Sequence, residues 1–182
     1  MKTLLLALFT MALAGYSAEN LISNPGFEEG VAKQGENILA GWRVRGVGGV
    51  WKYHHIVGEN PHGGTKCALI RIPETAPVGT ECYFTLEKNL KPAPNKTYRL
   101  SFWAKCTSGK AFLRLVTLTE EGKYWNSKDI PIPADSDAKE WKSYSVDVKV
   151  KAPRQFAVSA MLTGHGELYL DDFVWEEVVS AK

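Results

Sequence analysis

Three cysteines in 182 residues are too few to staple a fold, and their odd number leaves at least one without a partner in the same chain. In KCALI, ECYF and WAKC, the residues Cys67, Cys82 and Cys106 each sit within or at the end of an apolar strand pattern. That pattern reads as three buried free thiols, with a single Cys67–Cys82 or Cys82–Cys106 bridge as the alternative. Charge of either sign is not in excess: 22 Lys and Arg face 20 Asp and Glu. Near-neutrality argues against electrostatic capture of nucleic acid or anionic lipid, which needs a basic patch or stripe. Catalytic signatures are missing as well. The chain holds no Gly-x-Ser-x-Gly elbow, no His-Glu-x-x-His and no phosphate loop, so the expectation is a protein that is not an enzyme.

Long apolar runs are confined to the first residues. In MKTLLLALFTMALAGYSA, Lys2 supplies a basic start and Leu4 to Ala14 an apolar stretch too short to span a bilayer comfortably. Residues 1–18 therefore read as an export signal, with cleavage open between Ala14, Ser17 and Ala18. Tyr16 stands where a lipoprotein signal would need cysteine. The expectation is a secreted protein, extracellular or periplasmic, with no membrane insertion, and a single domain over residues 19–182 that acts as a monomer.

Helical i, i+3, i+4 spacing is also absent beyond the signal, whereas period-two alternation recurs every ten to fifteen residues with Gly, Pro, Asn and Asp between. The alternation predicts strands at 42–47, 50–57, 66–72, 81–88, 97–105, 111–118, 124–130, 142–150, 156–162 and 167–176. So many strands in one all-β domain imply two packed antiparallel sheets, a β-sandwich of jelly-roll type. Its core includes Tyr98, Leu100, Phe102 and Ala104, Cys82, Phe84 and Leu86, and Ala68, Ile70 and Ile72. From the strand SYSVDVKV come Tyr144, Val146, Val148 and Val150.

Two kinds of residue then stand out. Glu28, in NLISNPGFEEG, and the Asp171–Asp172 pair, in LYLDDFVW, are polar groups in otherwise apolar surroundings. Simple alternation sends the two aspartates to opposite faces, with Asp171 on the side of Phe173 and Trp175, and this disfavours a paired-carboxylate glycosidase. If the N-terminal segment lies beside the last strand, Glu28 and Asp171 offer hard oxygen ligands to one Ca²⁺; the competing reading is solvated surface carboxylate.

Aromatics form the second kind. VWKYHHIV sets Trp51, Tyr53 and His55 on one face of a predicted strand, and Lys123-Tyr-Trp-Asn126 carries Tyr124 and Trp125 in a polar setting. An apolar pyranose face stacks on such rings, while sugar hydroxyls take hydrogen bonds from planar polar groups. Arg71, Arg114 and Gln155 are candidates for the latter, and the two aromatic clusters are expected to line one groove. His54, His55 and His62 do not make a metal triad, because the first two are adjacent and face apart on a strand.

NLISNPGFEEG, Gly41-Trp42, GTKCALIRI, NKTYRLSFWAK, WKSYSVDV and ELYLDDFVW occur in that order. Together they resemble the carbohydrate-binding modules of families four, nine, sixteen and twenty-two, which share a galactose-binding-domain-like jelly roll. The resemblance implies a structural calcium held by the carbonyls of Gly26 and Lys66 and the carboxylates of Glu28 and Asp171. Gly63 and Gly64 stand where some members add an acidic ligand. It further implies a poly- or oligosaccharide partner, and it gives Trp42, Trp141 and Trp175 mainly to the core and Trp103 to structure. The alternative is an interaction or adhesive domain on the same fold without affinity for free glycan.

Overall fold

The structure is a computed structural model and describes residues 20–30, 39–47, 50–136 and 140–179. The export signal expected over residues 1–18 lies outside the described residues. Among the described residues ten strands follow one another: β1 (Trp42–Val47), β2 (His54–Val57), β3 (Cys67–Ile72), β4 (Glu81–Leu86) and β5 (Lys96–Cys106). Then come β6 (Lys110–Leu118), β7 (Tyr124–Ile132), β8 (Lys142–Val150), β9 (Gln155–Thr163) and β10 (Gly166–Glu177). They build two five-stranded sheets, ordered β1-β4-β9-β6-β7 and β2-β3-β10-β5-β8, in which every pairing is antiparallel.

The inner faces are those that alternation assigns. Tyr98, Leu100, Phe102, Ala104 and Cys106 of β5 are buried against Cys82, Phe84 and Leu86 of β4, with Trp42, Phe27 and Phe173 stacked between the sheets. Val146 and Val150 are buried in the same core, and Tyr144 and Val148 pack against it. Cys67, Cys82 and Cys106 are free thiols, all buried. Burial pushes Cys67 and Cys82 up to about 12 and Cys106 up to about 11, which leaves them protonated and unreactive.

Two expectations fail locally. Val50–Tyr53 is a 3₁₀ turn and not the start of a strand, and its last residue, Tyr53, drops into the core. A four-residue stretch fits a period of three as well as two, and burying the Tyr53 ring decides between them. The closing strand does not keep simple alternation either. Asp172 adopts φ 47°, and the register on β5 shifts between Asp171 and Val174. This bulge lets Leu168, Leu170, Phe173 and Trp175 all face the core. Asp171 thus shares the outer face with its cross-strand partner Trp103, not the side of Phe173.

Trp175, between Tyr98 and Phe156, buries an indole N–H that has no hydrogen-bond partner. Removing that donor gains about what the smaller ring loses in packing, each on the order of 1–3 kcal/mol. Trp175→Phe is therefore expected to change stability in denaturant unfolding by less than ~1 kcal/mol, against the ~3–5 kcal/mol usual for truncating a core tryptophan to alanine.

Candidate functional site

Strand order separates the predicted binding residues. β2 is an edge strand of the second sheet, next to β3, whereas β7 is the edge of the first sheet beyond β6. The turn bearing Trp51 and Tyr53 touches β1, β2, β3 and β4, while β7 touches β6 and β5. The expected single groove is thus not formed: Trp51, Tyr53, His55 and Arg71 lie on one flank, and Arg114, Tyr124, Trp125 and Gln155 on another.

On the first sheet the register aligns three of the four. Gln155, Leu118 and Tyr124 stand side by side across β9, β6 and β7, and Ser159, Arg114 and Asp129 make a parallel row four residues along β6. On β6 and β9 side chains of equal parity share a face. On β7 the register shift opposite Thr117 and Leu118 returns Tyr124 to the face of Ser127, whose hydroxyl lies 3.4 Å from its own. Both rows thus look outward, ~13 Å apart at the ~3.3 Å rise of a strand. Leu113 and Leu115, of the opposite parity, are buried inside. Arg114 forks onto Asp129 with Nε–Oδ1 and Nη2–Oδ2 distances of 2.8 Å each, and its guanidinium lies 5.0 Å from the centre of the Phe112 ring. These hydrogen bonds, with the Arg114 charge behind them, hold the Asp129 carboxyl below its ordinary value. Both side chains remain partly exposed, so the pair adds little to stability. What it supplies is a fixed plane of spare N–H donors beside spare carboxylate lone pairs.

Tyr124 and Trp125 leave 67% and 60% of their surface exposed. The Arg154 guanidinium sits 4.8 Å from the centre of the Trp125 ring and orients it. Gln155 donates to the Glu120 carbonyl at 2.6 Å and accepts from Asn89 Nδ2 at 3.1 Å. Beyond it opens a groove of about 760 Å³ lined by Leu21, Ser23, Lys88, Asn89 and Lys91 among others. Sequence reasoning missed Asp129, Arg154 and Asn89. Asp129 becomes visible only once the β6–β7 register is known, and nothing local marks Arg154 as the residue stacked on Trp125.

The other flank holds a shallower pocket of about 340 Å³, lined by Lys52, Tyr53, His55, Arg71, Thr75 and the prolines at 73 and 77. Tyr53 is only 6% exposed there. Trp141 also departs from expectation, since it packs outside the core. It lies against His62 and Tyr169 on the outer face of the second sheet, with Lys105 Nζ 4.9 Å from its ring centre and 4.7 Å from that of Tyr169. Trp103 is structural there, stacked on His62 with ring centres 3.8 Å apart.

Glu28, Asp171 and Asp172 converge on the Gly63-Gly64 turn. Glu28 Oε1 accepts the N–H groups of Thr65 and Lys66 at 2.8 and 3.0 Å, Oε2 accepts the Thr65 hydroxyl at 2.6 Å, and Lys66 Nζ donates to the Glu28 carbonyl at 2.9 Å. The Thr65 donors hold the Glu28 carboxyl below its usual value. Asp171 Oδ2 accepts from the N–H groups of His62 and Gly63 at 2.9 and 3.2 Å, and Oδ1 from that of Asp172 at 2.9 Å. Burial raises the Asp171 carboxyl to about 6, against these N–H donors and with the Asp172 charge. The bulge also overturns the expectation that the aspartates point apart. A Cβ on Gly26 would lie 3.4 Å from Asp172 Oδ1 and 3.5 Å from Asp171 Oδ1. One on Gly63 would meet Asp172 Oδ2 at 2.6 Å, and one on Gly64 would overlap Glu28 Oε1. Among the described residues, no three His, Cys, Asp or Glu side chains already stand in metal-ligand geometry.

Comparison with known families supplies one match: residues 19–167 fit the model described as a carbohydrate binding domain. The chain belongs to that carbohydrate-binding family. Its members are non-catalytic modules that bind oligo- or polysaccharides, and so is this one. A comparison with curated proteins finds no match. Among solved structures, the module resembles TmCBM61, determined in complex with β-1,4-galactotriose, with a TM-score of 0.61 and 21% identity over 88% of this chain and 100% of that one. A family 16 carbohydrate-binding module gives a TM-score of 0.58 and 20% identity, covering 86% of this chain and 99% of the other. The enzymatically active domain of tailspike protein 4 from bacteriophage CBA120 gives a TM-score of 0.66 and 18% identity, covering 87% of this chain and 21% of that one. At such identities these likenesses speak to the fold.

Proposed function

We propose that the module is a secreted monomer that receives its glycan on the outer face of the first sheet, toward the Tyr124–Trp125 edge. The observation that carries this reading is the shared face of Gln155, the Arg114–Asp129 pair and Tyr124, the last with its neighbour Trp125 left largely exposed by the fold. Exposed rings of that size in a binding protein call for a partner, and a pyranose face covers them. Arg114 and Gln155, already held by neighbours, meet hydroxyls with little further loss of side-chain freedom. A panel of soluble oligosaccharides and insoluble polysaccharides, read by calorimetry and pull-down, tests the reading. Binding that survives Arg114→Ala, Tyr124→Ala and Trp125→Ala unchanged would remove the site from this face.

A structural Ca²⁺ completes the proposal, held by the carboxylates of Glu28 and Asp171 and the carbonyls of Gly26 and Lys66. What supports it is a set of hard oxygen donors drawn from both ends of the chain to one glycine-rich turn, where Asp171 is fully buried beside a second carboxylate. Backbone N–H groups already answer Glu28 and Asp171, so the ion tightens a clamp that exists without it. Added Ca²⁺ is therefore expected to stabilise the module by mass action, about 2.7 kcal/mol at a concentration one hundred times Kd. Chelator should lower the melting temperature without unfolding the chain at room temperature. A melting temperature indifferent to both would count against the ion.

A further inference from the structure

We propose that the pocket on the β2–β3 flank is a second glycan subsite, independent of the first-sheet face. The inference rests on the glycan binding of the family and not on where the first site lies. Its floor is the buried Tyr53 ring, fixed by core packing, with Lys52 Nζ 5.0 Å from the ring centre. Arg71 lines the same space, and its Nε donates to Glu167 Oε1 at 2.6 Å while the Tyr169 hydroxyl donates to Glu167 Oε2 at 2.8 Å. This leaves a guanidinium of settled orientation with further N–H groups to give. His55 is half-buried, and burial lowers its pKa, so its ring stays neutral and offers one donor and one acceptor.

The opposite rim is rigid. Pro73 and Pro77 each accept a turn hydrogen bond, from the N–H groups of Ala76 at 2.9 Å and Thr80 at 3.1 Å, and His165 Nε2 lies 3.3 Å from the Ala76 carbonyl. Trp51 projects from the same turn as Lys52 and is 36% exposed. A firm floor, planar polar groups and a preformed rim suit the hydroxyls of a sugar ring. The core has no such need of Lys52, His55 and Arg71 gathered at one place.

Location makes the subsite separate. β9 starts at Gln155, beside the first site, and ends at Thr163, where the 163–165 turn meets the 73–80 loop. Eight steps of ~3.4 Å put ~27 Å between the two ends, and the two sites also lie on opposite edges of the sandwich. One chain would then hold two glycan segments at once, which multiplies retention on a polysaccharide through effective concentration.

The test is amide NMR of the full chain, titrated to millimolar levels with β-1,4-galactotriose, xylohexaose, cellohexaose, laminarihexaose and mannohexaose in turn. At least one sugar is expected to shift Tyr53, His55, Arg71 and Thr75, to do so equally in the Tyr124→Ala/Trp125→Ala variant, and to bind the pocket about 10-fold more weakly in Arg71→Ala. Lys52→Ala, at an exposed position, replaces Arg71→Ala if the latter loses the folded spectrum. Pocket shifts with none of the five sugars, or pocket shifts that vanish in the Tyr124→Ala/Trp125→Ala variant, would overturn the proposal. Shifts confined to the pocket would uphold it and remove the first-sheet reading instead.

Discussion

Replacing Tyr124 and Trp125 together by alanine is expected to weaken glycan binding at least ~100-fold, about 2.7 kcal/mol, while the melting temperature stays close to that of the unaltered chain. The two effects separate because these rings contribute to binding and little to the core. Each leaves more than half its surface to solvent, and Trp125 gains only the stacked Arg154, a contact on the order of 0.5–1 kcal/mol at an exposed site. A sugar ring covering either aromatic removes apolar area on both partners, and truncating such a central aromatic typically costs ~2 kcal/mol or more. Arg114→Ala should cost ~10-fold by comparison, since Asp129 and Gln155 remain to meet hydroxyls. Calorimetry of each variant beside its thermal melt reads both quantities. An equal fall in affinity and stability would assign these rings to folding.

Asp171→Ala is the second large effect, and it falls on stability. The side chain is fully buried and accepts three backbone N–H bonds, from His62, Gly63 and Asp172. Alanine leaves those part-buried donors without their acceptor, at ~1–3 kcal/mol for each one that water does not rescue. Relief of the cost of burying a carboxylate offsets part of this, so a net loss of ~3 kcal/mol in denaturant unfolding is expected. Asp171→Asn keeps one carbonyl acceptor but turns an N–H₂ toward donors, and should lose about half as much. If Ca²⁺ binds as proposed, its stabilisation should also disappear in both variants. Full stability in Asp171→Ala would mean that the 62–66 turn does not depend on the last strand.

Much of the fold was legible in the sequence because its strands alternate cleanly. YRLSFWAK buries Tyr98, Leu100, Phe102 and Ala104, and it does so because a period of two leaves them no other face. The failures have specific causes. VWKYHHIV alternates polar and aromatic residues as a strand does, yet Tyr53 reaches the core only through a 3₁₀ turn. LYLDDFVW reads through a bulge, and one extra residue reverses the parity of everything before it, which moved Asp171 to the outer face and turned both carboxylates toward Gly26.

The site was legible residue by residue but not as an assembly. Tyr124, Trp125, Arg114 and Gln155 announce themselves by exposed chemistry in strand patterns, and the register gathers Tyr124, Arg114 and Gln155 on one face. That Trp51, His55 and Arg71 belong to a different flank depends on which sheet β2 and β7 each join. Strand order is set by crossovers between distant segments, and no local pattern encodes it.

The most direct measurement is a crystal structure of the module with the best-binding oligosaccharide from the panel. The account predicts a sugar ring stacked within ~4 Å of Tyr124 or Trp125, with hydroxyls hydrogen-bonded to Arg114, Asp129 or Gln155. A complex with no sugar against Tyr124, Trp125, Arg114 or Gln155, whether or not the β2–β3 pocket is filled, would contradict it.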